Sequence, residues 1–125
     1  MRKDITTGDD SRIMLRQIKL VPVQTAAGVR MINPEELLYA EIYRNETCFV
    51  FAEQRIDSTV LPVEAEPMLV PSGFFRCHRN YIVSLQKITF IGKEYITMEN
   101  GDSIPLSMQR RDDFLAAYTE FMRIN

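Results

Sequence analysis

The apolar positions of this chain fall in short runs closed by polar or turn-forming clusters, until a final stretch recurs at helical spacing instead. In residues 17–23, Ile18 and Leu20 alternate with Gln17 and Lys19, the period-two pattern of a half-buried strand. Ala26-Ala27-Gly28 reads as a turn into a second strand over residues 29–32. Pro34-Glu35-Glu36 predicts a one-turn helix, because proline is tolerated where its missing N–H has no partner to lose. Residues 37–43 form the third strand. The apolar pattern breaks at Arg44-Asn45-Glu46, which places a loop there, and resumes over residues 47–52. A tight turn at Glu53-Gln54 then leads to a strand running through Val60. Pro62, Pro67 and Pro71 crowd the next segment. A proline inside a helix removes a donor and clashes with the preceding turn, so only a short helical turn, residues 63–69 at most, is expected.

In the following stretch two aromatic-rich strand halves flank an abrupt polar block. Phe74-Phe75 and Tyr81-Ile82-Val83 are residue types that fit a pleated, half-buried sheet, whereas His78-Arg79-Asn80 are costly to bury unpaired. The chain therefore surfaces between two strands at that block. A meander follows: residues 88–91, a turn at Gly92-Lys93, residues 95–98, Asn100-Gly101 and residues 103–105. Asn-Gly is a strong hairpin signal, since both turn positions need positive φ. Ser107 is placed as an N-cap, and Phe114, Leu115, Tyr118, Phe121 and Met122 form a helical stripe that packs on the sheets. Many short strands with one terminal helix give a mostly β domain over residues 17–125, preceded by a loose arm over residues 1–16.

Composition narrows the class. At 125 residues the chain is long enough for a single core without a covalent staple. Cys48 and Cys77 are too few for a disulfide scaffold, and no signal-like start precedes them, so free thiols in a reducing cytoplasm are expected. No apolar run approaches the span of a bilayer. The total of 15 basic against 17 acidic residues runs against the basic excess usual for nucleic-acid-binding domains. The distribution softens that objection. Residues 31–70 carry two arginines against eight carboxylates, whereas residues 71–111 carry six cations against three carboxylates. Such asymmetry can give one face of an acidic protein a positive field.

Enzyme readings find no constellation. His78 is the single histidine, and its neighbour Cys77 would point to the opposite face of a shared strand, which spoils a thiol–imidazole pair. The two cysteines and one histidine lack zinc-ligand spacing, and no glycine-rich phosphate loop is present, so neither metal nor cofactor is expected. Arg79 and Asn80, by contrast, carry side-chain forks that match guanine and adenine edges in the major groove. A second stretch, Ser107-Met108-Gln109-Arg110-Arg111, puts cations in the first turn of a helix, against its dipole. Either Asp112 and Asp113 neutralise them, or the helix start and its two arginines meet a phosphate backbone.

At this point the residues resemble a family. Phe74-Phe75-Arg76-Cys77-His78-Arg79-Asn80-Tyr81-Ile82-Val83-Ser84-Leu85-Gln86-Lys87-Ile88, then Met98-Glu99-Asn100-Gly101 and Ile104-Pro105-Leu106-Ser107, look like the LytTR DNA-binding domain. Upstream, Glu36-Leu37-Leu38-Tyr39-Ala40-Glu41 is similar to the family's segment before its first recognition loop. The resemblance implies a bacterial transcription regulator built from stacked small antiparallel β-sheets, a short helical turn and an amphipathic C-terminal helix. Such a protein binds the major groove of double-stranded DNA through loops and has no enzymatic activity. It also implies paired direct repeats in the DNA, self-association there, and for some relatives a protein inhibitor or partner regulator. Members often follow a receiver domain; this chain reads as a stand-alone or trimmed member. A protein-interaction module with weak DNA affinity is the alternative reading.

Carried over by position, three loops should face DNA. The first offers Arg44, Asn45 and Thr47, with Thr47 near the place where some relatives have a base-reading side chain. The second offers His78, Arg79 and Asn80, with Arg79 at the base-contacting position and His78 in a loop-shaping or phosphate role. The third offers Ser107, Gln109, Arg110 and Arg111. Here the chain departs from the family, having Met108 and then Gln109 where an arginine commonly follows the serine.

Overall fold

A computed structural model describes residues 19–124. The arm expected over residues 1–16 and the first residues of the opening strand lie outside the described residues. Strands β1 (Val21–Thr25) and β2 (Gly28–Ile32) pair as a hairpin. A five-stranded antiparallel sheet follows, built from β3 (Leu37–Tyr43), β4 (Glu46–Phe51), β5 (Arg55–Asp57), β6 (Phe74–His78) and β7 (Tyr81–Ser84). Its order is β5-β4-β3-β7-β6. Strands β8 (Ile88–Ile91), β9 (Tyr95–Met98) and β10 (Ser103–Pro105) make a three-stranded sheet, and the chain closes with helix α2 (Arg111–Ile124).

The five-stranded sheet is covered on both faces, which explains why β3 and β4 read as near-continuous apolar runs. On one side Ala40, Ile42, Phe49, Phe51 and Ile82 pack with Val23 and Ile32 of the hairpin and with Ala65 and Leu69. On the other, Tyr39, Cys48, Val50, Cys77 and Val83 pack with Ile96, Met98 and Ile104 of the small sheet and with Phe114 of α2. A β-bulge between Leu37 and Tyr39 lets Leu38 and Tyr39 join the same side before alternation resumes. The helical stripe predicted from Phe114, Leu115, Tyr118 and Phe121 packs into this second core, whereas Met122 is exposed.

Three local expectations need correction. Helix α1 spans Pro62–Leu69 with Pro67 inside it. Pro67 leaves the Val63 carbonyl without its helical donor, but both residues are exposed, so water replaces that bond at little cost, while Ala65 and Leu69 anchor the opposite face. The strand expected to reach Val60 stops at Asp57, because Ser58 turns inward and its hydroxyl donates to the Thr47 carbonyl at 2.6 Å. The Asn100-Gly101 hairpin is not a two-residue turn. Only Gly101 takes positive φ there, and its N–H closes onto the Met98 carbonyl at 2.8 Å. The two-residue left-handed turn lies elsewhere, at Arg44-Asn45.

Candidate nucleic-acid interface

The first loop is the tip of the β3–β4 hairpin. Tyr43 pairs with Glu46, and between them Arg44 and Asn45 take φ of 51° and 62°. This is the conformation of a type I′ turn, whose twist matches that of the flanking strands. Asn tolerates it; Arg44 pays about 1–2 kcal/mol for a Cβ crowded by the following carbonyl. The Arg44 guanidinium lies over the Tyr43 ring, 5.3 Å from its centroid. Thr47, proposed above as a base reader, is 1 % exposed, and its hydroxyl donates to the Val60 carbonyl at 2.9 Å. That bond ties the hairpin to the chain after β5 and turns the hydroxyl into the fold.

The second loop joins β6 to β7. Arg76, on β6, reaches back across it: its Nε donates to the Arg79 carbonyl at 3.1 Å, a second nitrogen joins the same oxygen, and a third bonds Glu66 at 3.2 Å. Behind the loop, His78 Nδ1 accepts from the Asn80 backbone N–H at 3.1 Å. An accepting Nδ1 places the neutral proton on Nε2. Desolvation, then the charges of Arg79 and Arg110, hold the imidazole below its ordinary pKa, so this acceptor persists at neutral pH. His78 is thereby tied to the loop backbone at Asn80. Arg79 itself is exposed, with no side-chain hydrogen bond or ion pair among the described residues.

The third loop leads into α2. Ser107 occupies the N-cap position but its side chain makes no capping bond; the helix starts as a single 3-10 turn, Met108–Arg110, closed by the Arg110 N–H on the Ser107 carbonyl. Gln109 is exposed. The arginines that follow are drawn into the fold. Arg110 donates to the Arg76 carbonyl at 3.3 Å, and Arg111 to the carbonyls of Gly92 and Lys93 at 2.5 and 3.2 Å. Arg111 thus pins the β8–β9 turn to the helix start, a contact that neither of the two sequence alternatives anticipated.

These loops meet at one end of the molecule. The Ile42 N–H donates to the Asn80 carbonyl at 2.8 Å, and the Ser107 N–H to the Cys77 carbonyl at 2.9 Å. A shallow cleft of about 490 Å³ is lined by Tyr43, Arg44, Asn45, Arg76, Arg79 and Asn80, together with Ile42 and Pro62. Arg44, Arg76 and Arg79 line it and Arg110 bonds the Arg76 carbonyl beside it, against Glu66 and the hairpin's Glu46, a local excess of cations on a chain of net charge −2. Sequence reasoning placed Arg76 in the polar block at this end but named neither it nor Tyr43 among the DNA-facing residues. Arg76 stood within the polar block, but nothing in its spacing showed that it would clasp the Arg79 carbonyl. Cys77 lies beneath, fully buried, with burial pushing its thiol up to about 12, so it contributes no nucleophile.

The family profile described as the LytTr DNA-binding domain matches residues 27–119, a stretch containing all three loops. The chain belongs to the LytTR DNA-binding domain family. Among solved structures it is similar to the LytTr DNA-binding domain of a putative methyl-accepting/DNA response regulator from Bacillus cereus. That likeness has 24% identity and a TM-score of 0.69, covering 81% of this chain and 97% of that one. No curated protein matches. The stacked antiparallel sheets and two short helices described above are the LytTR fold. Membership makes this LytTR domain a DNA-binding domain of transcription regulation, in a family that is not enzymatic. Among the described residues no cluster of three or more His, Cys, Asp or Glu could hold a metal, and no helix is long and apolar enough to cross a membrane.

Proposed function

We propose that this LytTR domain reads a short promoter sequence in the major groove of double-stranded DNA with its three loops, acting as a regulator in the bacterial cytoplasm. Arg79 makes the central base contact, its fork suited to guanine O6 and N7. Asn45, Asn80 and Gln109 add polar contacts on either side, and Arg110 approaches phosphate. The observation that carries this reading is the hydrogen-bonded convergence of both hairpin tips and the α2 start on one positively charged end. Two copies occupy paired direct repeats.

The test is selection of binding sites from random duplex DNA by the purified chain at two salt concentrations. A short enriched motif, present as two spaced copies, with affinity falling steeply as salt rises, is the expected result. Absence of enrichment at low salt from a folded sample overturns it. It would favour instead a protein-interaction module whose acidic segment, residues 31–70, faces a basic partner.

A further inference from the structure

The arginines around the cleft look alike in sequence, yet the fold treats them differently. Arg76 has its donors on the Arg79 carbonyl and Glu66, Arg110 donates to the Arg76 carbonyl, and Arg111 donates to Gly92 and Lys93. Arg44 and Arg79 have no side-chain hydrogen bond among the described residues, so their forks are available to a base edge. Of these two, only Arg44 is held: its guanidinium lies over the Tyr43 ring at 5.3 Å. An aromatic face engages the π surface of a guanidinium and leaves its in-plane N–H donors open. A side chain ordered before binding loses less freedom on binding.

Tyr43 is otherwise hard to account for. It is 66 % exposed, at the end of a strand whose other apolar residues are buried, and no hydrogen bond of its hydroxyl occurs among the described residues. The turn it introduces would be better served by glycine than by arginine, since both central residues have positive φ. An arginine in a left-handed turn, with its guanidinium over an exposed tyrosine ring and lining the same cleft as Arg79, is suited to be a reading group at the sheet end.

We infer that Tyr43 is a specificity-positioning residue: it holds Arg44 ready to read a guanine beside the base pair read by Arg79, the part in the first loop that buried Thr47 does not take. The inference rests on the DNA-reading function proposed above. Tyr43 acts through Arg44 and makes no base contact of its own.

The test uses the selected motif with each guanine replaced in turn by 7-deazaguanine, which lacks the N7 acceptor. The proteins are the unchanged chain, Arg44→Ala, Tyr43→Ala and Tyr43→Phe, each checked for an unaltered unfolding transition. In the unchanged chain, deaza substitution at the Arg44 guanine should weaken binding about tenfold or more, and Arg44→Ala should abolish that sensitivity. Tyr43→Ala should lose most of the discrimination at that guanine and keep it at the Arg79 guanine, with the salt slope unchanged. Tyr43→Phe keeps the ring and should behave as the unchanged chain. Full discrimination in a folded Tyr43→Ala protein overturns the inference and leaves the DNA-reading function standing. So does a Tyr43→Ala loss that persists undiminished in the Arg44→Ala background, since Tyr43 would then act directly. A chain that selects no motif removes both.

Discussion

The Ser107 backbone N–H donates to the Cys77 carbonyl at 2.9 Å, so the entry to α2 is locked to the strand that delivers Arg79. Through this bond two segments thirty residues apart in sequence present Arg79 and Gln109 at one end of the domain with a fixed spacing.

Arg79→Ala should cost about 1–3 kcal/mol of binding to the selected site and relax preference at one base pair. Arg111→Ala should behave differently, because its guanidinium supports the Gly92 and Lys93 carbonyls. Loss of those charge-assisted bonds should lower stability by about 1–2 kcal/mol and raise amide exchange in the β8–β9 turn, with base preference unchanged. Competition binding on single-base variants of the site, with hydrogen exchange on the free protein, checks the pair.

Thr47→Val keeps shape and removes the hydroxyl that donates to the Val60 carbonyl. Urea denaturation should show a loss of about 1–2 kcal/mol, the penalty for a buried acceptor left without its donor. The selected DNA motif should not change. A changed motif with unchanged stability would restore Thr47 to the reading surface.

Stability should fall in mild acid through His78. Its folded pKa lies below the unfolded value near 6.5, so the unfolded chain binds the proton more readily. The stabilisation is fully present above about pH 6.5 and is lost as pH drops through the folded pKa. His78→Asn retains an acceptor near Nδ1 without titrating. Denaturation midpoints at pH 7 and pH 5.5 should therefore differ less for this variant than for the unchanged chain.

Gly73 sits at φ 88°, and a Cβ added there would lie 2.9 Å from Phe121 Cε1. Gly73→Ala should destabilise by about 1–3 kcal/mol, combining left-handed strain with displacement of the ring. Shortening the ring in a Gly73→Ala/Phe121→Leu double variant removes the clash and not the strain. A double-mutant cycle by thermal unfolding should show partial recovery, and full recovery would assign the whole effect to packing.

Strands, terminal helix and polar block were legible because each leaves a periodic or compositional trace. The run from Leu37 to Phe51 announces a buried sheet, and Arg79 announces a surface. Contacts across the fold leave no such trace. Arg44, Arg76, Arg110 and Arg111 are equivalent letters until tertiary structure gives three of them backbone carbonyls and one of them a tyrosine ring. Thr47 looked like an exposed polar opening to a strand, and only the return of the chain at Ser58–Val60 buries it. Pro67 signalled a helix break because the sequence does not say that the orphaned carbonyl of Val63 will face water.

The pairing of β3 with β7 has a kinetic consequence. Tyr39 lies opposite Val83 and Glu41 opposite Tyr81, so the join between the two hairpins spans about forty residues of chain, the widest separation among the described strand pairings and so a costly loop to close. Each hairpin can form locally, but the Arg44 and Arg79 tips come into register only when that join zips. A chain still emerging from the ribosome, with β7 unmade, therefore lacks the paired Arg44 and Arg79 tips on which the proposed reading of DNA rests.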